Sequence, residues 1–142
     1  MSMKSKTIDS LKKKVLAKAS KTYPKKLDVT APKKGISLMN HCCHYNAVNA
    51  VKTGVAVAVV ECVMIESDRC YAHCINLLED GSYVDLTLGW AWSGCDYRLV
   101  RFVHESEYKY ISKKLGDLKA NLASGFIYKR HEWLGIDKWD LS

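Results

Sequence analysis

The 142-residue sequence has no run approaching the roughly 18 apolar residues that a membrane-crossing helix needs, and its opening, MSMKSKTIDSLKKK, has no apolar core behind the lysines. Neither a bilayer span nor an export signal is expected, and the chain reads as a cytoplasmic protein. Internal repeats and low-complexity stretches are also missing, which argues against a solenoid and against wholesale disorder. No C-x2-C pair occurs among the six cysteines, Cys42, Cys43, Cys62, Cys70, Cys74 and Cys95, so the commonest zinc spacing is absent. In a reducing compartment these six are expected as thiols, catalysts or metal ligands, not as a disulfide framework. The first 34 residues hold no arginine and a single aromatic, Tyr23, so the stacking side chains of single-strand nucleic-acid binding are thin there.

What those 34 residues do hold is charge. Eleven lysines stand against Asp9 and Asp28, a balance of +9, and the remaining residues carry eleven basic and thirteen acidic groups, a balance of −2, which accounts for the net +7. The basicity therefore belongs to residues 1–34, read as a basic N-terminal helix and connector, and residues 35–142 read as a single near-neutral domain. Such an arm attracts nucleic acid, an anionic membrane surface or an acidic partner through non-specific electrostatics, or simply keeps the protein soluble. Nearly half the residues are hydrophobic, enough at this length for one real core.

Ile8, Leu11, Val15 and Ala19 recur at three and four, predicting a helix over 7–20 with a narrow apolar stripe. Pro24 and Pro32 mark a connector. Cys43, Ala47, Ala50 and Val51 share one face of a helix from Cys42 or Cys43 to Thr53, capped by Asn40 and stopped by Gly54. VAVAVVECVMI (55–65) reads as a strand buried on both faces. YAHCINLLE and SYVDLTLG read as a hairpin, and YRLVRFV as a further strand. Tyr108, Ile111, Leu115, Leu118 and Leu122 predict a last helix, and Trp90, Trp92 and the aromatic tail are expected to cover the core. Helices segregated from antiparallel strands argue for an α+β fold.

The stretch NHCCHYNAVNA (40–50) carries the chemistry. A cysteine at a helix N-terminus gains thiolate character from the unpaired N–H groups and the positive end of the macrodipole. A nucleophile also needs a base close in space and a group that orients the base. His73 and Asp85, on the two hairpin strands, are the candidates, with Cys43 as nucleophile and Cys42 competing for that role. Register decides whether they meet. A two-residue Asp80-Gly81 turn sends Asp85 to the face opposite His73. A three-residue loop with Gly81 in the left-handed conformation pairs Leu78 with Ser82 and places His73 and Asp85 on one face as diagonal neighbours. The three-residue loop is the expectation, with Thr87 supporting the pair. Cys62 and Cys74 are expected in the core, Cys74 on the strand face opposite His73. His41, Cys42, Cys43, His44, Cys70, His73 and Cys74 suit zinc chemically, but adjacent ligands rarely reach one tetrahedral ion, so neither a metal nor a cofactor is expected.

A cysteine opening a helix, then a histidine and an aspartate on successive strands in HCINLLEDGSYVDLT, resembles the transglutaminase-like branch of the papain-like cysteine hydrolases. The resemblance spans residues 36–103. It implies a small papain-like fold with the cysteine helix packed on an antiparallel sheet, Cys43 as nucleophile, His73 as general base and Asp85 as orienting acid. The nucleophile's own N–H and Asn40 would bind the oxyanion. The implied activity is a cysteine hydrolase or acyltransferase acting on an amide of a protein or peptide. The alternative is a non-catalytic binding or inhibitory module on the same scaffold, of the kind phage and accessory proteins direct at host factors.

Overall fold

The computed structural model describes residues 3–31, 42–67, 69–88 and 94–122. Within them the chain runs α1 (Met3–Thr22), β1 (Lys26–Leu27), β2 (Val29–Thr30), α2 (Cys43–Lys52), β3 (Ala58–Glu66), β4 (Arg69–Leu77), β5 (Tyr83–Val84), β6 (Cys95–Val103), a 3-10 segment (Glu105–Tyr110) and α3 (Ile111–Leu122). The six strands form one sheet in the order β1-β6-β3-β4-β5-β2. All neighbours are antiparallel except β2 and β5. The two edge strands are consecutive in the chain, separated by Asp28 alone. Asp28 thus steps from one edge to the other, and the sheet curls until it is nearly closed.

Strand alternation sorts the core into an inside and an outside. Val60, Cys62 and Met64 of β3 point inward with Leu27, Val29, Ile75 and Tyr97. Val59 and Val63 point outward, under the helices: Val63 packs with Leu11, Val15, Ala19 and Leu118, and Val59 with Ala47, Cys74 and Ile111. Both faces of β3 are therefore buried, as its unbroken apolar run requires. No helix among the described residues is long and apolar enough to cross a membrane.

Residues 3–31, the described part of the basic stretch, are not an appendage. Leu11, Val15 and Ala19 are fully buried in the outer core, and Leu27 and Val29 are buried in the strands that bring the sheet edges together. The lysines occupy the exposed side of α1, so the charge count reported one face of the helix and not its place in the fold. The connector expected after Pro24 in fact contains β1 and β2. The Trp90 and Trp92 loop and the tail from 123 onward lie outside the described residues.

Two glycines fix the geometry on which the site depends. At the end of α2, Gly54 has φ 79°, and the bonds Gly54 N–H to Val51 C=O and Val55 N–H to Ala50 C=O complete a Schellman stop. At the hairpin, Gly81 has φ 86°, Leu78 N–H donates to Ser82 C=O, and Gly81 N–H donates to Leu78 C=O. This is the three-residue loop, and it sets Asn76 opposite Val84 and Leu77 opposite Tyr83.

Because α1 belongs to the core, Leu11→Ala is expected to destabilise the full chain by about 2–5 kcal/mol, whereas Lys13→Ala should change stability by less than about 0.5 kcal/mol. Urea unfolding of the two variants checks this, and equally small effects would show the helix to be peripheral.

Candidate active site

Asp85 follows the last residue of β5, at the point where the chain leaves the sheet. Its side chain is fully buried, and its Oδ1 accepts from the backbone N–H groups of Thr87 and Leu88 at 2.9 and 3.1 Å. That turn ends the strand and aims Oδ2 inward. There it meets His73 Nε2 at 2.8 Å, and the Tyr97 hydroxyl donates to it at 2.6 Å from across the curled sheet. His73 is itself buried, and its ring lies tilted against that of Tyr97 with centroids 6.3 Å apart. With Nε2 held by Asp85, Nδ1 is the ring nitrogen left free to serve the Cys43 sulfur, which lines the same cavity and helps to hold the ring protonated.

Cys43 is the first residue of α2, and exposed Cys42 precedes it as N-cap without making a side-chain capping bond. The first N–H groups of α2 thus have no intrahelical partner, at the end of the helix where Cys43 stands. Of the two adjacent thiols, Cys43 is the one turned to the imidazole. Asn40, expected as cap and oxyanion donor, lies outside the described residues.

Two side chains tie α2 to the strands and so fix where Cys43 sits. Asn46, one turn beyond Cys43, donates from Nδ2 to Thr87 Oγ1 at 3.0 Å, and Asn76 of β4 donates to the Ala47 carbonyl at 2.9 Å. Thr87 therefore acts twice: its N–H holds Asp85 and its hydroxyl holds the nucleophile's helix.

Electrostatics follow from this packing. The Cys43 thiol is lowered to about 4, first by the hydrogen bond from the Cys74 thiol, then, against the cost of burial, by hydrogen bonding and charge attraction to His73 and by the Cys74 backbone N–H. For His73, burial alone would lower the imidazole. Its bonds to Asp85 and Cys43 overcome that and raise it to about 9. Burial likewise opposes the charge on Asp85, but bonds from His73, Tyr97 and the Leu88 N–H hold its carboxyl below the usual range. Between roughly pH 4 and 9 the site is thus a thiolate facing an imidazolium, backed by a carboxylate.

A cavity of about 380 Å³ opens at the pair, with Cys43 and His73 at one side and Met64, Tyr71, Leu88 and Glu66 among its walls. A larger cavity, about 600 Å³, lies beyond the end of α2 against the hairpin loop and contains neither residue of the pair. Among the described residues no group of three or more His, Cys, Asp or Glu is arranged to hold a metal ion.

Sequence reasoning missed Tyr97 and the contact of Cys74 with Cys43. Alternation correctly sends Cys74 away from the His73 face, but that outer face is where α2 packs. Compared with known proteins, the chain matches no family model, no curated protein and no solved structure. The reading of the site rests on its geometry.

Asp85→Asn, which removes the charge and keeps the shape, is expected to drop the His73 titration well below about 9, because the Cys43 sulfur alone then opposes the effect of burial. NMR titration of the imidazole measures it; a midpoint still near 9 would mean that Asp85 does not control the ring.

Proposed function

We propose that the protein is a cysteine hydrolase or acyltransferase that attacks an amide carbonyl in a peptide, an isopeptide or a glutamine side chain. The observation that carries this reading is the continuous line from the helix-opening Cys43 sulfur through His73 to the buried Asp85 carboxylate. A cysteine helix lying on an antiparallel sheet, with histidine and aspartate at the hairpin, also supports a papain-like, transglutaminase-like architecture, here with the sheet nearly closed by β1 and β2.

In the reaction, the Cys43 thiolate attacks the carbonyl carbon. The oxyanion that forms is met by the Cys43 N–H at the start of α2, where no helical acceptor competes. The His73 imidazolium then gives its Nδ1 proton to the departing amine, leaving a thioester on Cys43. Water or an amine attacks that thioester while His73 takes the proton from it, and the thiolate is restored. Asp85 stays ionised throughout; its role is to fix the ring with Nε2–H toward itself and Nδ1 toward sulfur. Met64, Tyr71 and Leu88 supply apolar walls for the acyl side. A free thiol nucleophile suits a reducing cytoplasm, where it is not consumed by disulfide formation.

Labelling by iodoacetamide between pH 4 and 9, mapped by mass spectrometry, tests the reading. Cys43 should label fastest among the six cysteines, with the rate rising near pH 4 as the thiol ionises and changing again near pH 9 as His73 loses its proton. In His73→Ala the first rise should move up in pH. Turnover should follow a bell with limbs in the same two regions, and Cys43→Ala should abolish it without unfolding the protein. Slow, scattered labelling with an ordinary thiol profile would instead support a non-catalytic binding module.

A further inference from the structure

Cys74 touches the nucleophile but has no step in the chemistry above. It follows His73 on β4, so its side chain leaves the other face of the strand, where it is 2 % exposed and packs with Ala47 and Val59 beneath α2. Cys43 packs against the same cluster, where Cys74 is the largest influence favouring a charge on the Cys43 sulfur. None of the other four cysteines is placed this way. Cys62 is on the inner face with its thiol directed to the His73 carbonyl, Cys70 belongs to the cluster under α1 and α3, Cys42 is exposed at the helix cap, and Cys95 packs against the inner core. One sulfur thus lines an open cavity while its partner is in contact with it and sealed from solvent.

We propose that Cys43 and Cys74 form a peroxide-responsive thiol pair, in which Cys43 is oxidised at sulfur and Cys74 converts it to an intramolecular disulfide. The inference rests on the reading of Cys43 as the reactive thiolate. In the first step the Cys43 sulfur attacks one oxygen of hydrogen peroxide and the O–O bond breaks. Cys43 becomes a sulfenic acid, and the departing hydroxide takes the His73 imidazolium proton and leaves as water. In the second step the Cys74 sulfur attacks the Cys43 sulfur, the S–O bond breaks, and the hydroxide leaves with the Cys74 proton as a second water. Two thiol groups lose two electrons and one peroxide gains them.

The arrangement supplies both the selectivity and the timing. Peroxide reaches Cys43 through the cavity, whereas buried Cys74 is shielded from it. Before oxidation the Cys74 thiol is held protonated chiefly by its hydrogen bond to the Cys43 sulfur, and secondly by burial. Once Cys43 carries a hydroxyl group, the anionic acceptor is gone and the first restraint with it. Disulfide formation would then stop the nucleophile before it reaches the irreversible sulfinic acid, and a dithiol would restore it.

The full chain is treated with hydrogen peroxide, blocked with iodoacetamide and digested without reductant. The expected product is a Cys43–Cys74 linked peptide, with Cys43 labelling lost after peroxide and regained after dithiothreitol. In Cys74→Ala, and in Cys74→Ser should the first fold poorly, Cys43 should pass instead to sulfinic acid that dithiothreitol does not reverse. Fast iodoacetamide labelling of Cys43 combined with peroxide products that leave Cys74 reduced, or that link Cys43 to Cys42, would overturn this inference and leave the nucleophile reading intact. A Cys43 inert to both reagents would overturn the two together.

Discussion

Asp85 is a carboxylate cut off from solvent, held by four donors: the N–H groups of Thr87 and Leu88, the Tyr97 hydroxyl and His73. Removing an isolated carboxylate from water costs several kcal/mol even after relaxation, so the fold must deliver those donors or protonate the acid. Each comes from a different structural decision. The two N–H groups require the chain to turn out of the sheet after Val84. The imidazole requires the three-residue loop, since a slip of one residue would send Asp85 to the other face. Tyr97 requires the sheet to curl, because β6 is two strands removed from β4 in the order and reaches Asp85 only across the interior.

The thiolate depends on this acid at one remove. Burial disfavours a charged imidazole, and without Asp85 the ring would hold its proton less firmly, so that Cys43 would lose part of the charge attraction that adds to the effect of the Cys74 thiol. The donors that reach Cys43 come from the same strand on successive residues: the imidazole of His73, and the thiol and N–H of Cys74. A strand presents neighbouring side chains to opposite faces, so these two converge on one sulfur only at a place where a helix end sits over the strand's edge. The early end of β5 provides it, leaving β4 uncovered beyond Asn76 on that side, and the Asn46–Thr87 and Asn76–Ala47 bonds hold the helix in the gap.

The elements legible in the sequence are those whose signals are local. Gly81 behind Glu79-Asp80 announces the loop that fixes the register, Gly54 announces the end of α2, and the unbroken run of β3 announces a strand covered on both faces. β1 and β2 announce nothing, since two residues each are too short for a period, and they are strands only because the sheet closes on them. The lysines of α1 concealed its role in the same way: Leu11, Val15 and Ala19 form a thin stripe, yet all three are core. Tyr97 and the Cys74 contact were invisible because each depends on what lies across the sheet or on top of it. A chemical signal for Tyr97 did exist. A buried acid bonded to a histidine demands further donors, and a tyrosine at an inward position of another strand of a curled sheet is a natural one.

A second buried carboxylate on the same sheet shows why the faces must be kept apart. Glu61 of β3 points outward, and burial pushes it above the usual carboxyl range against the pull of Arg101, the reverse of Asp85. A bulge in the β3–β6 pairing between Glu61 and Cys62 lets Arg101 stand directly opposite Glu61, where Nε approaches Oε2 at 2.9 Å. Arg101 in turn pairs with Glu107, and Glu107 with Lys114. Glu61 lies close enough to the sulfurs to be among the charges that raise Cys62 and Cys74. The bulge thus places a cation against the one outward acid of the central strand, while the charge that governs the imidazole on the inner side is that of Asp85.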